Sequence, residues 1–169
     1  MYRTHTCGEL RNKNAGEDVM LSGWVHRRRD LGGLVFVDLR DRYGVTQIVF
    51  DPEQLSEGEF DIAEDLKYEY VIKIEGEVVQ RSKENMNDEL DTGDIEVQAS
   101  SVEVLTESKT LPFEIFETEK GEEEQDLRLK YRFLELRRQH LKENIIFREK
   151  MVEYIHEYMK ERDFLDIKT

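Results

Sequence analysis

Phe36, Asp38 and Arg40 fall at alternate positions of an apolar segment, with Val35, Val37 and Leu39 between them. In an extended strand this spacing puts an aromatic ring, a carboxylate and a guanidinium on one face and an aliphatic row on the other. A ring on a polar sheet face can stack on a nucleobase, a contact worth about 1 to 3 kcal/mol per base. The same ring can equally plug a barrel end or rest under a loop. Arg27, Arg28 and Arg29 are consecutive, so a strand puts Arg27 and Arg29 on one side and Arg28 on the other. They can contact phosphates or base edges, or form a solvated strand end paired with nearby acids. Gln47 offers a donor and acceptors to a base edge, although a mid-strand glutamine also serves as a plain solvent-facing residue.

Covalent or metal chemistry has no comparable signature. The glycines lack phosphate-loop or dinucleotide spacing, the four histidines are scattered, and carboxylates are too abundant for any pair to stand out. His26, beside Trp24, reads as structural. No catalytic residue, metal site or bound cofactor is expected in this chain. Cys7, the sole cysteine, reads as a structural thiol in a reducing, cytoplasmic setting.

The elements that position these residues follow from periodicity. A short helix is expected at 7–11 and a strand at 19–29, closed by Asp30-Leu31-Gly32-Gly33. Strands at 34–40 and 45–50 complete a meander, closed by Asp41-Arg42-Tyr43-Gly44 and Asp51-Pro52. Over 56–69 the period becomes helical through Phe60, Ala63 and Leu66, with Ser56 and Glu59 at capping-box spacing. Alternation resumes at 70–81 and 93–105. The predicted fold is therefore mainly β: a five-stranded OB-fold barrel with a helix between strands three and four, followed by an α-helical segment.

Periodicity fades around Pro112, Gly121 and the acidic run Glu122-Glu123-Glu124, giving expected divisions at 1–107 (the barrel), 108–125 (a connection) and 126–169 (a helical unit). Helices are expected at 126–138 and 141–162. The second carries two apolar stripes, one through Leu141, Ile145, Val152, Ile155 and Met159, the other through Phe147, Met151, Tyr154 and Tyr158. A helix apolar on two sides needs two partners, one within its own domain and one on a second subunit.

With 169 residues and 38% hydrophobic content, the chain can hold one full domain and part of another. It has no apolar run long enough to cross a bilayer, so no membrane partner is expected. The formal net charge of -14 runs against nucleic-acid binding, because polyanion ligands are held by Lys and Arg. The charge is patterned, however. Arginines gather at 27–29, 40 and 42, while acids crowd 53–65 and 117–126, which is consistent with a basic groove on an acidic body.

Four motifs occur in order: Cys7-Gly8-Glu9-Leu10-Arg11, Gly23-Trp24-Val25-His26-Arg27-Arg28-Arg29-Asp30, Phe36-Val37-Asp38-Leu39-Arg40-Asp41 and Gly44-Val45-Thr46-Gln47. Together they resemble the anticodon-binding domain of bacterial aspartyl-tRNA synthetases. Leu127-Arg128-Leu129-Lys130-Tyr131-Arg132-Phe133-Leu134-Glu135-Leu136-Arg137-Arg138 resembles that family's entry into its catalytic domain. The long helix with Phe164-Leu165-Asp166-Ile167-Lys168-Thr169 resembles motif 1 of class II synthetases, a dimer element. Lysyl- and asparaginyl-tRNA synthetases are the nearest rivals. Arg27 to Arg29 followed by Asp30-Leu31-Gly32-Gly33, together with Arg137-Arg138, favours the aspartyl type. A free-standing RNA-binding module and a dimerisation fragment without tRNA affinity are the competing readings.

The resemblance implies that Phe36 stacks on the central uracil of the aspartate tRNA anticodon, Gln47 reads that base's edge, and Arg27 and Arg29 contact the neighbouring loop. Glu96 would read the first anticodon base, guanine or its queuosine derivative, and Arg81 and Asn85 approach the same loop. Val79 stands where the family often has a basic residue. Leu31 stands where some forms that also charge asparagine tRNA carry histidine, so leucine points to a discriminating enzyme. The resemblance further implies a homodimer through Phe147, Met151, Tyr154 and Tyr158, and RNA rather than DNA as partner. For the parent enzyme it implies ATP and Mg²⁺ as cofactors, with aspartyl-adenylate formation followed by transfer to the tRNA 3' end. The ATP-binding arginines are expected beyond Thr169, past a motif 1 that stops short of its proline, so that this chain alone is inactive.

Overall fold

The computed structural model describes residues 2–115 and 125–167. The chain divides into two compact units, Met1–Lys109 and Thr110–Thr169. The acidic run Glu122-Glu123-Glu124 and the terminal Lys168-Thr169 lie outside the described residues.

The first unit is a closed barrel with strand order β1-β2-β3-β5-β4. The strands are β1 (Asp18–Leu31), β2 (Leu34–Arg40), β3 (Val45–Phe50), β4 (Val71–Gln80) and β5 (Ile95–Thr106), with helix α1 (Glu57–Asp65) between β3 and β4. All neighbours run antiparallel except β3 and β5, whose two parallel pairs, Ile48 with Val97 and Val49 with Gln98, close the ring. Alternation decides the core. Val35, Val37 and Leu39 of β2 are buried, as are Ile72 and Ile74 of β4 and Ile95 and Val97 of β5, while the residues between them look outward. Truncating one of these fully buried aliphatic side chains to alanine costs about 2 to 5 kcal/mol.

Four expectations about local structure need correction. The helix expected at 7–11 is a turn followed by a 3-10 turn at Asn12–Asn14. Other partners take the two groups that a helix would join: the Cys7 carbonyl accepts from Thr46 Oγ1 (2.6 Å), and the Arg11 N–H donates to Asn14 Oδ1 (3.1 Å). Gly8 lies against the β2–β3 turn so closely that a Cβ there would stand 2.3 Å from the Tyr43 carbonyl oxygen. Strand β1 runs on through Asp30 and Leu31, and Leu31 pairs with Leu34. Only Gly32 and Gly33 form the turn, with φ of 64° and 86°, as a tight primed turn requires.

The capping box on α1 is present, with Ser56 and Glu59 satisfying each other's backbone donors, a device worth about 1 kcal/mol. The helix nevertheless stops at Asp65 rather than reaching 69. Leu66 turns extended into the core, and Glu69 takes a left-handed φ of 63° while its N–H donates to the Val25 carbonyl (2.8 Å).

In the second unit the single helix expected at 126–138 is two, α2 (Gln125–Lys130) and α3 (Arg132–Glu135), broken at Tyr131 with φ of -108° and ψ of 40°. Leu134 packs with Phe113 and Ile115, and Leu111, Leu127 and Tyr131 flank them. The break lets Glu135, 1% exposed, receive both Arg128 (Nε donating at 2.6 Å) and Arg132. Burial pushes the Glu135 carboxyl up, but these two hydrogen bonds prevail and hold it below its ordinary value. Helix α4 (Gln139–Lys160) carries both apolar stripes, and none of its residues is buried within the described structure. Phe147, Met151, Tyr154 and Tyr158 are 69%, 48%, 68% and 46% exposed. No described helix is long and apolar enough to cross a membrane.

Candidate nucleic-acid interface

Directly opposed residues of an antiparallel pair share a face, so register decides what stands beside Phe36. Phe36 lies between Arg29 of β1 and Val49 of β3, and Asp38 lies between Arg27 and Gln47. The rows Arg29–Phe36–Val49 and Arg27–Asp38–Gln47 therefore form one outward patch.

Strict alternation from the buried Val25 would not produce that patch, because it sends Arg27 and Arg29 inward. The pairing of β1 with β2 shifts between Val25 and Arg27, leaving His26 as an extra residue. This bulge reverses the parity of the strand. Arg27 and Arg29 move to the Phe36 face, while Arg28, opposite the buried Val37, pairs instead with Asp30 at 2.8 Å.

Across the patch the polar groups form one chain. Arg29 Nη2 donates to Asp38 Oδ1 (2.7 Å) and to Gln47 Oε1 (3.1 Å). Gln47 Nε2 donates to Glu96 Oε2 (2.9 Å), across the seam between β3 and β5. Glu96 pairs in turn with Arg81, whose Nε lies 3.7 Å away and donates to the Ile95 carbonyl at 2.9 Å. Arg81 Nη1 reaches the Asn85 carbonyl at 3.4 Å, and the Asn85 side chain is exposed.

Arg81 is 6% exposed, and its burial, joined by the charge of Arg29, lowers its affinity for its proton, while Glu96, Asp38 and Asp94 oppose that shift. Two buried donors of this chain, Arg29 Nε and Arg81 Nη2, have no hydrogen-bond acceptor among the described residues. A buried donor left unmade is costly, so the network retains capacity for an added acceptor.

Among the residues singled out from sequence, Arg29, Phe36, Gln47, Arg81 and Glu96 thus stand together. Arg27 is exposed on the same patch, Asn85 meets it through its backbone, and Leu31, 59% exposed, sits at the β1–β2 turn instead. Gln47 is not a plain solvent-facing residue: it is 8% exposed, and each end of its amide makes one hydrogen bond, to Arg29 and to Glu96, leaving an N–H and an oxygen lone pair over. Sequence reasoning missed the acids that hold the arginines. Asp38 was placed on the face without its role as the Arg29 anchor. Glu69, whose carboxylate takes Arg40 Nη2 at 2.8 and 3.1 Å, had no sequence signal, falling inside a span expected to be helix. His26 lies 3.5 Å from Arg40, and burial together with the charges of Arg40 and Arg27 drops its imidazole to about 4. The Cys7 thiol is pushed well above its ordinary value by burial, and by the Asp41 charge, and is inert in that state. Among the described residues no cluster of three His, Cys, Asp or Glu side chains is placed to hold a metal ion.

A closed β-barrel carrying an aromatic ring on its outer face beside a neutralised chain of Arg, Gln and Glu is an arrangement suited to single-stranded RNA. Known proteins agree with that reading. Residues 19–105 match the model for the OB-fold nucleic acid binding domain of the tRNA anti-codon type, and residues 124–169 match class II tRNA synthetases of the D, K and N group. The chain is 56% identical over 169 residues to the aspartate–tRNA(Asp/Asn) ligase of Rubrobacter xylanophilus, covering 99% of this chain and 27% of that protein. Asparaginyl-tRNA synthetase from Pyrococcus horikoshii superposes with a TM-score of 0.82 at 24% identity, over 99% of this chain and 36% of that one. Aspartyl tRNA synthetase from Entamoeba histolytica gives 0.84 at 21%, over 95% and 38%. These two structures share the fold. From its strand order, its polar patch and these matches, the chain belongs to the OB-fold nucleic acid binding domain family of tRNA anticodon recognition and continues into the beginning of a class II tRNA synthetase.

Proposed function

We propose that the barrel reads the anticodon loop of aspartate tRNA on behalf of an aspartate–tRNA ligase. The observation that carries this reading is the continuous chain Asp38–Arg29–Gln47–Glu96–Arg81 beside Phe36, on a fold built for single strands. It also answers the objection of charge. The acids on the patch are each engaged by an arginine or by Gln47, so the body's net charge of -14 does not describe the surface offered to RNA.

In this reading Phe36 stacks on the central uracil and Gln47 reads its edge, while Arg27, Arg29 and Asn85 meet neighbouring loop groups. Glu96, an acceptor held in place by Gln47 and Arg81, takes the N1–H and amino group of the first-position guanine. The chain spans about a quarter of its curated relatives, 27% of the R. xylanophilus protein. For the whole protein we accordingly infer activation of aspartate with ATP and Mg²⁺ and transfer to tRNA, by residues beyond those present here. A cytoplasmic enzyme and a homodimer through Phe147, Met151, Tyr154 and Tyr158 complete the proposal.

The test is binding of this chain, at several salt concentrations, to an aspartate anticodon stem-loop and to the same loop with its central uracil changed. Phe36→Ala should remove about 1 to 3 kcal/mol of affinity for the uracil loop and most of the preference between the two. Equal binding of both loops by the unchanged protein would defeat the reading.

A further inference from the structure

We propose that Glu69 is a positioning residue for base reading: its paired contacts with Arg40 and β1 hold the bulge that turns Arg27 and Arg29 onto the Phe36 face. The proposal rests on the reading of that face given above and adds the residue that sets its geometry.

Strand β1 changes partners where the bulge occurs. Up to Trp24 it is paired with β4, ending at Trp24 opposite Val71, and beyond Val25 only β2 accompanies it. At the changeover Val25 donates its N–H to the Tyr70 carbonyl (2.9 Å) and accepts at its own carbonyl from the Glu69 N–H (2.8 Å). Those two bonds end the ladder on one side of His26. On the other side the Glu69 carboxylate grips Arg40 Nη2 at 2.8 and 3.1 Å, and Arg40 Nη1 lies 3.5 Å from the ring of His26, the bulged residue. One residue therefore ties the segment after α1, strand β2 and the bulge together.

The backbone shows that a carboxylate is wanted here. Glu69 has a left-handed φ of 63°, a conformation that is unfavourable for a residue with a side chain and that glycine takes freely. It is also 5% exposed, so the acid is both strained and desolvated. Two charge-assisted bonds to Arg40, itself mostly buried, offset those costs. Removing the carboxylate takes two charge-assisted bonds from Arg40 next to the parity-setting residue.

Glu69→Gly separates the two roles, because glycine accepts the left-handed backbone and the main-chain bonds but has no carboxylate. Glu69→Gln and Arg40→Met remove the ion pair from either end. Each 169-residue variant is checked for folding by its thermal melt, then assayed for the ratio of affinities for the uracil loop and its central-base variant. The NMR signal of the Arg29 Nε–H, and its protection from exchange, are recorded in parallel. Ile72→Val, a loss in the core away from the patch, controls for general destabilisation. We expect the Glu69 and Arg40 variants to lose about tenfold in discrimination, the size of one charge-assisted hydrogen bond, with loss of Arg29 Nε–H protection. Ile72→Val should change neither. Folded Glu69 variants that keep both the ratio and the Arg29 signal overturn the proposal. If the unchanged protein itself shows no base preference, the reading of the face fails. The positioning claim is then decided by the Arg29 signal alone, and an unaltered signal overturns it.

Discussion

Gln47 Nε2 donates to Glu96 Oε2 at 2.9 Å across the parallel seam between β3 and β5. Its other end, Oε1, accepts from Arg29 at 3.1 Å. A guanidinium can only donate and an ionised carboxylate can only accept, so these neighbours fix which way the amide points. A base approaching the patch meets an amide of defined orientation.

Replacing that amide by an acid tests the arrangement. In Gln47→Glu the new carboxylate faces Glu96, and two acids sharing one site raise each other's proton affinity. Affinity for the aspartate stem-loop should fall about tenfold or more at pH 7.5 and recover in part at pH 5.5, because acid relieves the repulsion that the substitution introduces. Fluorescence anisotropy at the two pH values checks this. An unchanged affinity at pH 7.5 would remove Gln47 from the reading site.

Leu31 sits exposed where β1 turns into β2, apart from the network to which reading of the first two bases is assigned in our proposal. Aspartate and asparagine anticodons differ in the last base, and the R. xylanophilus relative is named for both tRNAs. We expect Leu31→His to narrow the affinity ratio between the two stem-loops while leaving central-base discrimination intact. Competition binding with both loops measures the ratio, and loss of central-base preference instead would relocate the role of this turn.

The stripe Phe147, Met151, Tyr154 and Tyr158 is open to solvent along α4. A contiguous exposed apolar stripe marks a surface suited to a protein partner. Sedimentation of the 169-residue chain should show self-association at high concentration, weakened by Phe147→Glu with Tyr154→Glu. A monomer at every concentration would remove the dimer from the proposal for this chain.

His26 makes stability depend on pH. Its folded value of about 4 lies below the ordinary 6.5, so the unfolded chain binds the extra proton between those values. Stability due to His26 is complete above about pH 6.5 and is lost as pH falls towards 4. Arg27, Arg40 and Glu69 surround this region, and the two arginines are what disfavour the protonated ring after burial itself. Urea melts at pH 4.5 and 7.0 should show a larger loss for the unchanged protein than for His26→Gln. An equal loss in both would show that His26 titrates normally.

Much of the architecture is legible in the sequence. Alternation at 34–40 and 45–50 placed β2 and β3 with their ends, and the Ser56–Glu59 pair marked the start of α1. Phe36 was recognisable as an aromatic on a polar face, because a period of two leaves no other assignment once Val35, Val37 and Leu39 are buried. The approach of Arg81 and Glu96 to the same loop came only from family resemblance. Both lie on or next to strands distant in sequence from Phe36, and nothing local reveals which strands will be neighbours.

Chain order and side-chain period thus determined the barrel, the helix between its third and fourth strands, and the presence of a ring with arginines near it. Tertiary structure alone decided which way those arginines face. A bulge adds one residue to a strand without any mark in its composition, and whether Arg27 and Arg29 look outward depends on that single residue. Here the shift falls at His26, where β1 leaves β4 and the loop carrying Glu69 takes over. That position is set by contacts between residues 25, 40 and 69, and no window of sequence contains all three.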